Sequence, residues 1–338
     1  MYHLRFNGTH YEIGNKWGST LKKRGINLLD NVPFPITNER LVFAEQCIPF
    51  YKKHFPQILH EIKGIADGQQ CSLSNLQAVL LSMYSIMPSA NCSCFAVRTK
   101  GNGVIFGRNS DFLTAIEKLY MNALYRFTND SYFFNANTTA FVQMEDGINE
   151  YGLTVGLTSV APSKIKPGIN AGMLLRLFLE RCKNVEELLR LIQTIPIASS
   201  QTIIATDFGG NAALIECSPQ AMEVQKIDDK RKYVCSTNMF NTEKMMPCNN
   251  LPEDTWQAEE RYRTMETYLS QNAGKINLKC AQDLLSGKEG FLCQYDRKTE
   301  KDTVWSIACD MSEKSLYRAE GNPSRKAFIK DERMKFLL

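Results

Sequence analysis

Cys92 and Cys94 stand at the mouth of the apolar run Asn91-Cys92-Ser93-Cys94-Phe95-Ala96-Val97. The turn Lys100-Gly101-Asn102-Gly103 follows, and then Gly107-Arg108-Asn109-Ser110-Asp111. A thiol, a guanidinium and a carboxylate around one hairpin are a set suited to nucleophilic catalysis. A thiol needs a base to take its proton, ordinarily a histidine. The four histidines, His3, His10, His54 and His60, all precede the hairpin. The other base available is an α-amine. Cutting the Asn91–Cys92 bond would give Cys92 an amine of pKa about 8 beside its own thiol of about 8.5. One residue would then be both nucleophile and base. Alternation along a strand puts Cys92 and Cys94 on one face, so periodicity does not choose between them.

The elements that must position these groups change character at Asn91. Residues 1–88 read as helical, with Ile13, Trp17 and Leu21 on one face. A second helical stretch runs from Thr37 to Ile62, with Pro56 breaking or kinking it. Gly64 and Gly68 punctuate a loop, and Ser72 or Ser74 caps a third helix through Leu81. From Cys92 onward short strands come in pairs: Cys92–Thr99 with Val104–Asn109, Leu119–Phe127 with Ser131–Asn137, and Phe141–Glu145 with Leu153–Val160 across an Asp146-Gly147 turn. Helices are expected over Gly172–Cys182 and Val185–Ile195, the second capped by Asn184. Four strands follow within Thr202–Ser236, then helices over Thr255–Leu269 and Leu278–Leu285, and a last hairpin joining Thr303–Cys309 to Ser315–Arg318. Hairpins dominate, which points to an α+β fold rather than a parallel doubly wound sheet.

The 338 residues are 43% hydrophobic, enough for a sizeable core. A net charge of +4 is far from the Lys/Arg stripe of a nucleic-acid binder, so no nucleic-acid partner is expected. No apolar run is long enough to span a bilayer. The opening MYHLRFNGTHYEIG lacks a secretory pattern, and eleven cysteines form no framework spacing. They read as reduced thiols in a cytoplasmic protein, mostly small buried hydrophobes. No CxxC pair or phosphate-binding glycine loop occurs, so neither a metal nor a cofactor is expected.

Six motifs in order carry a resemblance to a known family. They are Gly8-Thr9-His10-Tyr11-Glu12-Ile13-Gly14, Glu61-Ile62-Lys63-Gly64-Ile65-Ala66-Asp67-Gly68, Asn91-Cys92-Ser93, Asn109-Ser110-Asp111-Phe112, Glu216-Cys217-Ser218-Pro219 and Ser236-Thr237-Asn238. The chain resembles the N-terminal-nucleophile hydrolases of the penicillin acyltransferase (acyl-coenzyme A:6-aminopenicillanic acid acyltransferase) family and, more distantly, choloylglycine hydrolases. The resemblance implies a four-layer αββα sandwich. Residues 1–91 would be a helical propeptide or small α chain, and 92–338 the catalytic β chain, with a homo-oligomer possible. The cleavage junction would be Asn91–Cys92. Asp111, 19 positions after Cys92, suits the family's hairpin better with Cys92 than with Cys94, which is left as a packed core thiol.

Further roles are implied by the same resemblance. Asp111 would hold the Cys92 amine, and Arg108 would sit beside the thiol and lower its pKa. The bland alternative for this pair is a strand-end salt bridge. Asn238 would donate to the oxyanion of the tetrahedral intermediate; the alternative is a turn asparagine. Thr158 stands where choloylglycine hydrolases carry a second donor, an asparagine. Arg261 resembles a site arginine, against a solvated helix charge. Ser218 matches a position tied to activity or maturation, against a turn serine. The expected activity is cleavage of a linear amide C–N bond in a small-molecule acyl-amide through an acyl-thioester on Cys92, by hydrolysis or acyl transfer. The alternative is an uncleaved, catalytically silent binding or scaffold protein on the same fold.

Overall fold

The computed structural model describes residues 1–86, 91–252 and 254–336. Residues 87–90, directly before the expected junction and including Ala90, lie outside the described residues. Two sheets stack face to face. The first has eight strands in the order β1 (Tyr2–Gly8), β4 (Met121–Phe127), β5 (Phe134–Thr138), β6 (Asp146–Asn149), β7 (Thr154–Val160), β8 (Ser200–Thr206), β9 (Ala212–Cys217) and β10 (Met222–Lys226). The second has six, ordered β11 (Tyr233–Ser236), β2 (Asn91–Arg98), β3 (Val104–Leu113), β12 (Lys301–Asp310), β13 (Ser315–Ala319) and β14 (Ile329–Lys330).

Alternation along the strands builds the layers. Cys94 and Ala96 of β2 and Phe106 of β3 join Ile148, Ile204 and Leu214 in the apolar core between the sheets. Their neighbours Phe95, Val97 and Ile105 face the other way, onto Met265 and Leu269 of α7 (Ala258–Asn272) and Leu284 and Leu285 of α8 (Leu278–Leu285). The outer face of the eight-stranded sheet is covered by α1 (His10–Lys23), α2 (Asn38–His54), α3 (Pro56–Gln69), α4 (Leu73–Ser82), α5 (Ala171–Arg181) and α6 (Val185–Ile192). The fold is therefore the expected α+β four-layer αββα sandwich. None of the described helices is long and apolar enough to cross a membrane. All eleven cysteines are free thiols, nine of them buried.

Local chemistry explains most helix ends. Thr9 and Glu12 form a capping box at the start of α1. Pro56 occupies the first turn of α3, where its missing N–H costs nothing, and so separates α3 from α2. Ser72 caps α4 by accepting from the Asn75 N–H at 3.2 Å.

Three expectations are corrected. Residues 2–8, read as part of a helical segment, form β1, paired parallel to β4 from Tyr2↔Met121 to Gly8↔Phe127. Gly64 and Gly68, read as loop punctuation, lie inside α3, where they let its backbone touch α1. A Cβ on Gly64 would stand 2.2 Å from the Tyr11 carbonyl oxygen, and one on Gly14 of α1 would stand 2.1 Å from that of Glu61. Phe141–Glu145 is not a strand, and the supposed Asp146-Gly147 turn opens β6 instead. Its Asp146 pairs with Asn137 of β5 and Gly156 of β7, a register that hydrophobic patterning does not reveal.

Candidate active site

The β2–β3 hairpin brings Cys92 opposite Ser110, and Cys94 opposite Arg108. Arg108 therefore shares the inter-sheet face of β2 and β3 with both cysteines. Its Nη2 donates to Cys92 Sγ at 2.8 Å. The remaining guanidinium nitrogens reach across to the other sheet: Nη1 donates to Asp146 Oδ2 at 2.6 Å and Nε to the Leu157 carbonyl at 2.9 Å. Glu145 Oε2 is 3.7 Å from Nη2. Arg108, Asp146 and Cys92 are all buried, so this is no exposed strand-end salt bridge. Cys94, fully buried, belongs to the core between the sheets.

The other atoms of Cys92 are held from different elements. Its backbone nitrogen donates to Asn238 Oδ1 at 2.9 Å. Its carbonyl accepts from Arg261 Nη1 at 2.6 Å. Arg261 lies on α7 and is fully buried rather than on the solvated helix face. It also donates to Ser93 Oγ at 3.0 Å, to Asn238 Oδ1 at 3.0 Å and to the Trp256 carbonyl at 3.0 Å. Asn238 Nδ2 donates to the Ser159 carbonyl at 2.8 Å.

Asp111 lies opposite Asn91. On this side of β3 it accepts from Thr303 Oγ1 at 2.6 Å and from the Tyr295 hydroxyl at 2.9 Å, and Arg261 Nη1 is 3.5 Å away. A bulge in β12 serves both faces at once. The register with β3 shifts between Thr303, opposite Asp111, and Trp305, opposite Ser110. In a regular strand residues two apart share a face; the extra residue of a bulge breaks that rule. Thr303 thus reaches Asp111, while Trp305 turns into the inter-sheet core and donates from Nε1 to Asp146 Oδ2 at 2.7 Å.

Burial dominates the electrostatics. It pushes the Cys92 thiol up to about 12; Arg108 opposes the rise, and Glu145 and Asp111 add to it. Burial likewise lifts the Asp111 carboxyl to about 6, against the pull of Arg261, Thr303 and Tyr295. Burial works against the charge on Arg108, but Cys92, Asp146 and Glu145 together hold its pKa above the ordinary value.

The remaining candidates sit elsewhere. The Thr158 hydroxyl donates to the Thr237 carbonyl at 2.5 Å and pairs with Thr202 Oγ1 at 2.7 Å. It thereby braces the loop that carries Asn238. Ser218 lies in the β9–β10 turn, where its Oγ accepts from the Gln220 and Ala221 N–H groups, each at 3.2 Å. In that motif Glu216 is the residue that reaches the site's framework. Its buried carboxylate accepts from the Asn241 N–H at 2.7 Å and from the Thr242 hydroxyl at 2.7 Å, pinning the loop just after Asn238. Sequence reasoning missed Asp146, Trp305, Thr303 and Tyr295. For Asp146 the available signal was the unbalanced charge of an arginine on a buried strand; the others carried none.

No curated protein sequence matches the chain. Among solved structures, a Caenorhabditis elegans ortholog of N-acylethanolamine-hydrolyzing acid amidase is 14% identical, with a TM-score of 0.48 over 65% of this chain and 93% of that one. Penicillin V acylase from Agrobacterium tumefaciens is 16% identical, with a TM-score of 0.47 over 68% and 83%. A variant of the conjugated bile acid hydrolase from Clostridium perfringens is 15% identical, with a TM-score of 0.48 over 72% and 93%. The family model for acyl-coenzyme A:6-aminopenicillanic acid acyl-transferase matches residues 98–325, more than half of the sequence, beginning at the last residue of β2 and ending after β13. The chain belongs to the acyl-coenzyme A:6-aminopenicillanic acid acyl-transferase family.

Proposed function

We propose that the protein is a self-processing thiol amidase acting on small-molecule acyl-amides. The observation that carries this reading is that three atoms of Cys92 are each addressed by a different group: Sγ by Arg108, N by Asn238 and O by Arg261. A cysteine that merely fills a core has no need of such a shell.

In the precursor, Cys92 Sγ attacks the Asn91 carbonyl carbon, and the acyl group moves from nitrogen to sulfur. Water then cleaves the thioester, leaving a carboxylate on Asn91 and a free amine and thiol on Cys92. In the mature enzyme the amine, with a pKa of about 8, takes the thiol proton. The thiolate attacks the substrate carbonyl, and Asn238 supplies an N–H to the oxyanion. The α-ammonium returns its proton to the departing amine. Water, or an acceptor amine, resolves the acyl-thioester and regenerates Cys92. Asp111 would hold the new ammonium, a role supported by its pairing with Asn91 in the hairpin register.

Residues 1–91 are proposed to stay bound after cleavage. β1 supplies one strand of the eight-stranded sheet. Glu61 and His10 meet Arg176 and Glu180 of α5 in a buried network, at 2.7 Å for Glu61–Arg176 and 2.8 Å for His10–Glu180. Intact mass and N-terminal sequencing test the reading. The expected result is a 91-residue piece and a 247-residue piece that starts at Cys92, with turnover of an acyl-amide panel. Cys92→Ala should remain a single inactive chain. Full-length wild type with no turnover would favour the silent scaffold.

A further inference from the structure

The charge that faces the thiol is not held by the hairpin that carries it. Arg108 reaches Sγ with Nη2 alone, and its orientation is set by two anchors on the opposing sheet, Asp146 Oδ2 and the Leu157 carbonyl. Leu157 O is fixed by the backbone of β7. Asp146 is fixed by two donors of its own. Asn137 Nδ2 donates to Oδ1 at 2.5 Å, and Trp305 Nε1 donates to Oδ2 at 2.7 Å. The Trp305 ring is in turn packed edge-on against Tyr120, with centroids 5.6 Å apart. Asn137, Asp146 and Trp305 are all buried.

We propose that Asp146 is a positioning residue for the reaction: held by Asn137 and Trp305, it fixes the Arg108 guanidinium so that Nη2 stays on the Cys92 sulfur. This rests on Cys92 as the nucleophile. The competitor for Nη2 is Glu145, 3.7 Å away, whose carboxylate already accepts from Ser110 and Thr139. Without the charge-assisted bond at Nη1, the guanidinium loses one of its two anchors and turns toward Glu145. The sulfur then loses its cation. A plain counter-charge would behave in the opposite sense, because removing it would leave Arg108 more electropositive toward the sulfur and favour the thiolate.

The two roles are separated by the sign of one measurement. The full chain is treated with iodoacetamide at about pH 8, and labelling of the Cys92 peptide is timed by mass spectrometry. A rise of about one pH unit in the thiol pKa lowers the thiolate fraction about tenfold. Asp146→Asn should therefore label about tenfold more slowly, and Asp146→Glu should recover part of the loss. In an Arg108→Met background, Asp146→Asn should change nothing further, since its effect passes through Arg108. Unchanged or faster labelling of Asp146→Asn overturns the proposal, and so does a loss that persists in Arg108→Met; a site merely loosened by the substitution would label faster. Should Asp146→Asn fail to fold, Trp305→Phe removes one donor to Asp146 and must slow labelling in the same direction, or the proposal falls. Acyl-amide turnover by Cys92→Ala, run in parallel, reports separately on the nucleophile: turnover retained there defeats the functional reading, whatever the labelling shows.

Discussion

Asp111 offers a sharp test of how burial and charge balance in this site. Its carboxyl is buried, with a pKa lifted from the ordinary 3.8 to about 6 by burial, against the pull of Arg261, Thr303 and Tyr295. A group whose pKa is higher in the folded than in the unfolded chain binds protons more tightly when folded. Its contribution to stability is fully present below about pH 4 and is lost as pH rises through about 6. At about 1.36 kcal/mol per pH unit, that loss amounts to about 3 kcal/mol. Asp111→Asn cannot ionise and escapes it. Chemical denaturation of the uncut chain, in a Cys92→Ala background, should therefore show Asp111→Asn gaining on its parent by about 2 kcal/mol between pH 4 and pH 7. The absolute difference at any one pH also contains the hydrogen bonds an amide cannot remake to Thr303 and Tyr295, so the change with pH is the quantity to read. In the Cys92-bearing chain, the same substitution should depress amide turnover. A parent that gains on the variant as pH rises through this window would show that Arg261 outweighs burial, and would refute the reasoning.

Asn238→Ala should lower kcat by about 10²–10³-fold while leaving KM little changed, as expected for a donor used mainly in the transition state, read by steady-state kinetics on an acyl-amide. Gly64→Ala forces a Cβ to within 2.2 Å of the Tyr11 carbonyl oxygen; thermal denaturation should show a loss of about 1–3 kcal/mol, because backbone cannot yield as a flexible side chain would. Arg176→Met strips the buried carboxylates Glu61 and Glu180 of their shared cation. Such a break costs about 3–5 kcal/mol, so the 91-residue piece of a processed chain should separate on size exclusion in mild denaturant where the wild-type piece does not.

The legible part of this protein is the part written locally. The turn at Lys100-Gly101-Asn102-Gly103 announces the β2–β3 hairpin, and period-two alternation places Cys92 and Cys94 on one face. Pro56 marks the helix break, and Asn184 and Ser72 mark the helix starts. These signals arise from residues within a few positions of one another, where backbone sterics and hydrogen bonding act directly. What the chain order conceals is every choice made between distant segments. β1 is a strand because β4 lies beside it, Gly64 is helical because α1 needs its bare backbone, and Asp146 faces a buried arginine from the opposite sheet. Thr303 and Trp305 serve opposite faces because one bulge shifts their register. Such partners are set by packing and by the cost of leaving a buried charge unpaired, which only the assembled sandwich imposes.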